Sequence, residues 1–541
     1  MIRINEIKLP LDADKNELLI SAAKLLKIPA EKIKSLAIAK KSLDSRKKSN
    51  LFFVYSVDVE INGNEQKILQ KSGCKKAFIT EPFKYVLPEN NRRSSLRPVV
   101  AGFGPGGMFA ALTLARAGAQ PIVLERGPDV ETRQNDVDLF WQNKKLNESS
   151  NVQFGEGGAG TFSDGKLTTG IKDPLCRKVF LDFVEFGADE EILYSWLPHI
   201  GTDRLCSIVK NIRQEIIRLG GEVRFNCRLS DIIAVNGVIQ GVSYIDRDGQ
   251  KIDIETDALI AAIGHSARDT VNMLFSHGIK MMQKPFSLGA RIEHPREMID
   301  RAQYGDFASH PALGAASYKM ACHPKGGRGA YTFCMCPGGT VVAAASEKDT
   351  VVVNGMSYHA RDGRNSNSAL LVGVEPEDFG SDHPLAGFDL QHEIGRKAFV
   401  LGGEDYSAPA QLVGDFLKNQ PSVTLGDIEP TCPTGVKLGN IRAVLPEKVT
   451  RIMADAIVKM GEMLKGFNRP DAVLTAPETR SSSPVRIMRD EFYQSVSLRG
   501  LYPCGEGAGY AGGIVSSAVD GIRCANAVLS GEYLNWYVTG E

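Results

Sequence analysis

An α/β fold is predicted for this 541-residue chain from a strand–turn–helix–strand stretch near residue 100, a strand–turn–helix stretch near its end, and apolar strands between them. In the first stretch, the apolar strand Val99–Ala101 enters a glycine turn and an alanine- and leucine-rich helix leaves it. A second apolar strand, Ile122–Leu124, follows and ends on Glu125. This order is typical of a parallel sheet covered by helices.

The turn after the first strand has glycines at the GxGxxG spacing of a dinucleotide-binding turn. Gly102 allows a tight turn, Gly104 lets the backbone approach a pyrophosphate, and Gly107 lets the helix pack close to the strand. The helix start offers free N–H groups and a positive dipole end to phosphates. The predicted contacts here are Gly102, Gly104, Pro105, Gly106 and Gly107.

Glu125 closes the unit about 20 residues after the turn, where a carboxylate can accept hydrogen bonds from a ribose diol. An acid at this point disfavours a 2′-phosphate, which argues against NADP. Arg126 follows it and is included among the predicted cofactor contacts. The alternative is a glycine turn without a ligand. Because strand, turn, helix, second strand and acid all occur in order, we favour a dinucleotide site.

Composition excludes several classes of function. The chain has 64 Lys and Arg against 64 Asp and Glu, so the whole molecule has no charge bias toward nucleic acid or membranes. No signal-peptide core and no apolar run of about 18 residues occurs, so no membrane association is predicted. The 10 cysteines are scattered, which favours reduced thiols and a cytoplasmic location. Their spacing matches neither zinc nor iron–sulfur sites, and no metal is predicted.

Residues 1–97 are predicted to form a separate small α+β domain, ferredoxin-like in type. Its predicted elements are the strand Ile2–Leu9, the helix Lys15–Ile28, the strand Ser35–Ala39 and the strand Leu51–Ile61. A basic turn, Lys40–Lys48, separates the last two strands. Those lysines and arginines predict either a surface for RNA or an acidic partner, or a solvated loop, and we favour the solvated loop.

A glycine-rich segment, Asn151–Leu167, follows a polar helix predicted over Val130–Asn143. Glycine this dense is not expected inside a stable helix or strand, but it can wrap a ligand with its N–H groups. Gly158, Thr161 and Lys166 are the predicted contacts, because hydroxyl and ammonium groups add donors for a phosphate or cofactor. The alternative is a flexible surface loop.

Further strands follow the amphipathic helix Arg204–Leu219. A β-meander is predicted over Leu229–Val235, Val238–Ile245 and Lys251–Ile254, turning at Asn-Gly and Asp-Gly. The apolar strand Ala258–Ile263 then ends at Gly264. Leu229 and Gly264 are predicted cofactor contacts. His265 is predicted to lie near the cofactor or to be a structural histidine.

A second strand–turn–helix stretch lies near the end of the chain. The strand Leu498–Cys504 runs into Gly505 and Glu506, and a helix is predicted from about Gly513 to Gly531. This stretch resembles the second FAD motif of the glutathione-reductase-like flavoproteins, in which a strand ends in Gly-Asp. The resemblance implies FAD as the cofactor. It also places Glu506, which stands where the superfamily has Asp, at the ribityl–pyrophosphate region.

The same resemblance places the start of that helix at the flavin. Gly512, Gly513 and Ile514 would then face the pyrimidine edge of the ring. A positive helix end there favours the anionic reduced flavin.

Residues 98–541 resemble the bacterial FAD-dependent dehydrogenases of unassigned substrate. The segments that carry the resemblance are Asn151–Leu167, Pro285–Pro295, Asn354–Ser357 and Glu478–Arg489. It implies a Rossmann-type FAD-binding domain made of residues 98–285 and 471–541. An α+β substrate domain, residues 286–470, would be inserted between the two parts.

Hydride transfer is usually coupled to proton movement, so titratable groups are expected beside the reactive ring. Arg291 and Glu293 share one face of the predicted strand Phe286–Glu293, and we predict that one of them faces the active cavity. The alternative is a structural ion pair.

Three arginines and a cysteine pair complete the candidate residues. Arg480, Arg486 and Arg489 are candidates for binding an anionic substrate or for a surface role. Cys334 and Cys336 form a CxC pair, which we interpret as hydrophobic filler. The CxxxxC helix of disulfide reductases is absent from the sequence.

The sequence therefore predicts an FAD-dependent oxidoreductase that transfers hydride between a small molecule and the flavin. No second GxGxxG–acid unit occurs, so NAD(P)H is expected to bind only transiently, if at all. Two alternatives stay open. One is an RNA-modifying flavoprotein that holds nucleic acid on the basic N-terminal domain, and the other is a non-catalytic flavin-binding regulator.

Overall fold

The computed structural model describes residues 1–324 and 327–531, and it begins with a four-stranded antiparallel sheet. The elements of this N-terminal unit are β1 (Ile2–Leu9), α1 (Lys15–Leu26), β2 (Ile33–Asp44), β3 (Phe52–Ile61), α2 (Glu65–Ser72) and β4 (Ala77–Ile79). The strands lie in the order β2-β3-β1-β4, which is a ferredoxin-like βαββαβ order. Asp14 caps α1 by accepting the Glu17 N–H at 2.9 Å, as its position in the sequence predicted.

The predicted basic turn of this unit is wrong in its first half. Lys40–Asp44 continue β2 opposite the first residues of β3, so the turn is formed by residues 45–51. Residues of β3 alternate between buried and partly exposed positions, as in a long two-stranded ribbon. Strand β2 extends to Asp44 and so pairs along the whole of β3. The sequence also missed α2, which has only eight residues and is polar on most faces.

The middle of the chain alternates strands and helices. Its elements are β5 (Val99–Ala101), α3 (Pro105–Arg116), β6 (Ile122–Leu124), α4 (Val130–Asn143), α5 (Leu175–Glu185), α6 (Thr202–Arg218), β7 (Glu222–Arg224), β8 (Arg228–Val235), β9 (Val238–Ile245), β10 (Lys251–Glu255), β11 (Leu259–Ala261) and α7 (Arg268–Ser276). The predicted helices at α4 and α6 and the predicted meander β8–β10 are confirmed to within two residues.

The remaining elements run from β12 to the last helix, α12. They are β12 (Met281–Gln283), β13 (Phe286–Pro295), α8 (Arg296–Tyr304), β14 (Ala321–Cys322), β15 (Ala330–Cys336), β16 (Thr340–Ala343), β17 (Val353–Met356), β18 (Asn365–Val374), α9 (Ala386–Leu401), β19 (Ala408–Leu412), α10 (Val413–Leu417), β20 (Val436–Leu438), α11 (Glu447–Met463), β21 (Val473–Glu478), β22 (Val485–Ile487), β23 (Leu501–Pro503) and α12 (Ile514–Ser530).

A five-stranded parallel sheet brings the early and late parts of the chain together. Its order is β23-β11-β5-β6-β7, with β23 entering from the end of the chain. Helices α3 and α12 pack on one face so closely that a Cβ on Gly521 would lie 2.0 Å from the Gly106 carbonyl oxygen. The carboxyl ends of β5, β11 and β23 therefore meet at one edge, where α/β folds bind ligands.

A seven-stranded sheet faces this edge, in the order β14-β15-β18-β13-β21-β19-β20. Helices α9 and α11 contribute buried apolar side chains to its core. The apolar run Ala408–Leu417 divides into the strand β19 and the short helix α10 that follows it directly. Short apolar runs of this kind do not distinguish strand from helix. Among the described residues, no helix is long and apolar enough to cross a membrane.

Candidate functional site

A groove of about 1010 Å³ runs along the carboxyl edge of the parallel sheet, and we call it the central groove. It starts at Glu125 and Arg126, passes the glycine turn after β5, and reaches the start of α12. The seven-stranded sheet forms its opposite wall, through residues of β15 and the end of β21. Its volume is at the upper end of the usual range for ligand pockets, about 300–1,000 Å³.

The turn after β5 requires glycine at two positions. Gly102 has a φ of 95°, and a Cβ there would lie 2.3 Å from the Ala262 carbonyl oxygen. A Cβ on Gly107 would lie 1.9 Å from the Gly102 carbonyl oxygen. The tight turn and the close helix packing predicted for these two glycines are therefore present. Gly107 lies behind the groove wall and acts through packing.

The side of the turn that faces the groove is open. Gly104, Pro105 and Gly106 line the groove, and a Cβ on Gly104 would touch only the Gly158 Cα, at 3.6 Å. The first N–H groups of α3 have no acceptor within their own helix. The turn thus presents donors and free space together, and contact with a pyrophosphate stays a prediction.

Glu125 ties the turn to the glycine-rich segment. Its carboxylate accepts the N–H groups of Phe103 at 2.8 Å, Gly127 at 3.0 Å and Gly155 at 2.9 Å. This structural role is missing from the sequence prediction, which assigned the carboxylate to a ribose alone. Arg126 stacks 4.2 Å above the Phe154 ring and lines the same end of the groove.

We predict that Glu125→Ala both weakens FAD retention and destabilises the protein. Each of the three N–H groups left without an acceptor costs about 1–3 kcal/mol. A fall in the free energy of unfolding of roughly 3 kcal/mol is expected in denaturant titrations, with faster release of the flavin measured by its fluorescence. Unchanged retention in the alanine variant would place the cofactor elsewhere.

The glycine-rich segment is held by a fully buried arginine that the sequence did not single out. Arg133, on α4, donates to the carbonyl oxygens of Asn151 at 3.0 Å, Val152 at 3.0 Å and Glu156 at 2.6 Å. Its guanidinium also lies 4.8 Å from the centre of the Phe162 ring. Burial lowers the pKa of Arg133 to about 10, which still leaves it charged near neutral pH. Arg133 therefore fixes the glycine-rich segment by its carbonyl oxygens, and the opposite side of the segment faces the groove.

Two of the three contacts predicted in that segment line the groove. Gly158 and Lys166 do so, with the Lys166 ammonium 4.0 Å from Asp164. The prediction for Thr161 is wrong. Its hydroxyl points to the buried side, donating to the Glu156 carbonyl at 3.4 Å, because the short helical turn Gly158–Gly160 rotates it away from the groove.

The other predicted cofactor contacts lie along the groove. Leu229 and Gly264 line its floor, and Gly505 and Glu506 follow β23 at its centre. Gly512, Gly513 and Ile514 line its far end at the start of α12. A Cβ added to Gly512 or Gly513 would meet no atom of the described residues within 4 Å, so this end is also open among them.

Glu506, which is partly exposed, and His265, which is buried, form a titratable pair at the centre of the groove. The Glu506 Oε1 lies 3.8 Å from the His265 Nδ1. Burial raises the pKa of Glu506 to about 7, with Lys284 acting in the opposite direction. Burial, together with Arg480 and Arg268, lowers the pKa of His265 to about 3, so its imidazole is neutral.

Arg480 lies beside this pair and is almost fully buried. It donates to the Ser266 hydroxyl at 2.6 Å and pairs with Glu347 at 3.1 Å. The Arg480 Nε and the His265 Nε2 are buried and find no hydrogen-bond partner among the residues that the structure describes. Two polar atoms in the groove wall are thus left for a ligand, since buried polar groups are nearly always paired.

The predicted catalytic residues Arg291 and Glu293 do not line the groove. Glu293 is buried behind it and accepts a hydrogen bond from the Thr431 N–H at 3.2 Å. Arg291 lies under the wall, 3.1 Å from the Glu478 carboxylate that lines it. Each is an internal polar contact of the seven-stranded sheet, so the prediction that one of them faces the cavity is wrong.

Two of the three arginines proposed for an anion line the groove. Arg480 and Arg486 do so, whereas Arg489 lies behind α12 and pairs with Asp520 at 2.6 Å. Asp520 also accepts the Gly505 N–H at 2.7 Å, so Arg489 fixes the turn after β23. The spacing of these three arginines in the sequence does not reveal which of their side chains face the groove.

Family models match two parts of the chain. Residues 285–481 match the model described as "FAD-dependent protein, C-terminal domain-like", and residues 1–60 match a domain of unknown function, DUF8436. A Clostridium beijerinckii protein, described as an uncharacterized protein, is 48% identical over 531 residues. That match covers 98% of this chain and 98% of the relative.

Solved structures with a similar arrangement are distant. A flavoprotein/dehydrogenase from Cytophaga hutchinsonii has 13% identity and a TM-score of 0.34, covering 82% of this chain and 79% of that one. A geranylgeranyl bacteriochlorophyll reductase-like protein from Thermoplasma acidophilum has 11% identity and a TM-score of 0.37, with 82% and 79% covered. Scores this low say nothing about the activity of this chain.

Proposed function

We propose that this chain, which belongs to one family with its Clostridium beijerinckii relative and whose residues 285–481 match a model of FAD-dependent proteins, is an oxidoreductase that transfers hydride between a small anionic molecule and its flavin. FAD is its cofactor. The cofactor supplies the ring that accepts or donates the hydride, and the chain supplies the binding, positioning and proton chemistry around it.

The chemistry of the groove walls fits FAD. Helix starts at both ends, α3 and α12, offer N–H donors and positive dipole ends to phosphate and to the electron-rich edge of the ring. The open faces of Gly104, Gly512 and Gly513 leave room for close approach at the same two ends. Glu125 retains capacity for a further hydrogen bond, because a carboxylate has about four acceptor positions and three are used here.

One observation carries the choice of an anionic substrate. Arg480 and His265 both line the groove. The Arg480 Nε and the His265 Nε2 are buried and have no hydrogen-bond partner in the described part of the chain. Glu347 is shared by Arg480 and Arg268, the latter at 2.7 Å, and Asp389 also acts on Arg268, so the charge of Arg480 is only partly compensated. A carboxylate or phosphate of the substrate would satisfy Arg480 by charge-assisted hydrogen bonds.

Glu506 is our candidate for the group that exchanges the proton accompanying hydride transfer. With a pKa of about 7 it changes protonation in the working range of most enzymes. A carboxylate that accepts the substrate proton must be ionised, so the rate of flavin reduction by the substrate is expected to rise as the pH rises through about 7. Glu506→Gln should abolish this inflection in anaerobic stopped-flow measurements between pH 5.5 and 8.5.

The exposed carboxyl of Glu429 provides the matched control for that experiment. Glu429→Gln should keep the inflection of the unmodified protein, because Glu429 pairs with Arg364 far from the groove. An inflection that persists near pH 7 in the Glu506→Gln variant would exclude Glu506 as the titrating group.

A small molecule is favoured over nucleic acid by the partners of the basic stretch. Lys41 lies 4.4 Å above the Phe53 ring, and its backbone bonds to Tyr194 and Trp196. Arg46 donates two hydrogen bonds to Asp44, at 2.8 and 2.7 Å. Two of the basic residues are thus used within the chain, one of them in strand β2, which supports a small-molecule substrate over nucleic acid.

The proposed function is tested by reducing the bound flavin anaerobically with a panel of small molecules. Organic acids and phosphate esters should bleach the flavin, whereas their neutral amides or alcohols should not. Bleaching by neutral donors alone would overturn the substrate class. A flavin that only dithionite reduces would favour the regulatory alternative, and NAD(P)H is included because a transient nicotinamide site is expected at most.

A further inference from the structure

Two cysteines lie together on the wall of the central groove formed by the seven-stranded sheet. Cys334 lines the groove and is partly exposed, and Cys336 lies behind it, buried. Strand β15 has one residue more than β18 between the pairs Phe333–Ala369 and Cys336–Asn367, which is a β-bulge. Cys334 has a φ of 42°, a conformation uncommon outside glycine.

The bulge places the two thiols within reach of each other. In a regular strand, residues i and i+2 are about 6.6 Å apart, at the upper end of the roughly 4.4–6.8 Å between Cα atoms that a disulfide spans. A kinked strand shortens that distance. Here the Cys336 Sγ lies 3.3 Å from the Cys334 carbonyl oxygen, and both thiols are free. The Cys336 sulfur therefore turns back toward Cys334, and a hydrogen bond joins the two thiols.

The surroundings favour a thiolate at Cys334 and a thiol at Cys336. A hydrogen bond from Cys336 lowers the pKa of Cys334 to about 5, and the positive charges of Lys166 and Arg291 add to this. The Arg291 Nη2 lies 2.9 Å from the Cys334 carbonyl oxygen and 3.6 Å from the Cys336 Sγ. The hydrogen bond to Cys334 and burial both raise the pKa of Cys336, so the shared proton stays there.

Three carboxylates interact with Cys334 and oppose a negative charge on it, namely Asp164, Glu478 and Glu506. Burial raises the pKa of Glu506 to about 7, so this carboxyl carries only part of a charge near neutral pH. Asp164 raises the pKa of Cys334, but it is paired with Arg361. Glu478 is paired with Arg291 at 3.1 Å, and burial raises its pKa to about 7, so it carries only part of a charge near neutral pH. The local balance therefore favours a negative charge on Cys334.

We propose that Cys334 and Cys336 form a redox-active dithiol that reduces small-molecule disulfides entering the central groove. This activity goes beyond the proposed hydride transfer and does not depend on it. In this proposal Cys334 is the attacking residue because it lines the groove, and Cys336 is the resolving residue because it is buried one step behind.

The exchange balances in atoms and electrons. The Cys334 thiolate attacks one sulfur of the small disulfide, the sulfur–sulfur bond breaks, and one thiol leaves with a proton from solvent. Cys336 then loses its proton and attacks the Cys334 sulfur, releasing the second thiol. The small molecule gains two electrons and two protons. The protein loses two electrons and the Cys336 proton in forming the Cys334–Cys336 disulfide, and solvent supplies the other proton.

The test is the reaction of the full-length, FAD-loaded protein with 4,4′-dithiodipyridine at pH 6, followed by peptide mapping. A fast phase that releases two pyridinethiones and links Cys334 to Cys336 is expected. A thiol with a pKa of about 5 has roughly 300 times the thiolate of an ordinary cysteine at pH 6, and lower nucleophilicity reduces this to a roughly tenfold faster reaction.

Single-cysteine variants make the result decisive. Cys336→Ser should release one pyridinethione and stop at a mixed disulfide on Cys334, whereas Cys334→Ser should lose the fast phase. Cys322→Ser is the matched control and should keep it, because Cys322 is similarly exposed on neighbouring β14 but burial raises its pKa. A fast phase that survives in Cys334→Ser, or none at pH 6 in the unmodified protein, would overturn the proposal.

Discussion

Gly104→Val is expected to yield a folded protein that has lost its FAD. The Gly104 backbone is extended, with φ −75° and ψ −177°, a conformation that valine adopts readily. The added Cβ would meet only the Gly158 Cα at an ordinary 3.6 Å, so the fold accommodates it. The two methyl groups would instead occupy the space where a pyrophosphate has to approach the N–H groups of α3.

Two comparison variants separate this effect from general instability. Gly373→Val is the matched control, since Gly373 lies in β18 away from the groove and a Cβ there would meet nothing within 4 Å. It should retain FAD in full, and Gly104→Ala should retain part of it. Flavin content is read from absorbance after gel filtration, and folding from far-UV circular dichroism. A yellow Gly104→Val protein would contradict the placement of the pyrophosphate.

Arg480→Met is expected to weaken the binding of an anionic substrate at least 30-fold while leaving the FAD in place. Removing one partner of a buried, hydrogen-bonded charge pair costs about 2–5 kcal/mol. Methionine keeps most of the volume, so the wall stays packed. The loss should appear in the substrate concentration needed for half-maximal flavin reduction more than in the limiting rate, because Arg480 binds the substrate in this proposal.

An exposed arginine on α6 provides the reference for that variant. Arg218 pairs only with Glu215 on the surface, and Arg218→Met should behave as the unmodified protein does. Arg480→Lys should be intermediate, since lysine keeps the charge but not the two-pronged geometry. Equal affinity in the Arg480→Met protein would show that the substrate anion is held elsewhere, with Arg486 as the next candidate.

The parts of the fold predicted correctly from sequence depend on local patterns. The turn at Gly102 and the helix after it are specified within about 10 residues by glycine spacing and helix propensity. The meander β8–β10 was found for the same reason, because its Asn-Gly and Asp-Gly turns are local signals. Strand β18, which lies between β15 and β13 inside the seven-stranded sheet, was missed because it is buried on both faces and shows no alternation.

The substrate side of the site could not be predicted because its contacts join distant residues. Arg480 reaches Ser266 across 214 positions and Glu347 across 133. No periodic pattern encodes such pairs. The prediction for Arg291 and Glu293 fails for a related reason. Alternation correctly puts both side chains on one face of β13, but only the packing of the seven-stranded sheet decides that this face is buried.

The most direct measurement is a crystal structure of the full-length protein purified with its flavin. The pyrophosphate should lie against the start of α3 at Gly104, with the adenosine ribose at Glu125. The ring should lie between the start of α12 and the wall that carries Arg480. Density for the flavin outside this groove, or with its ring at the Glu125 end, would contradict the account.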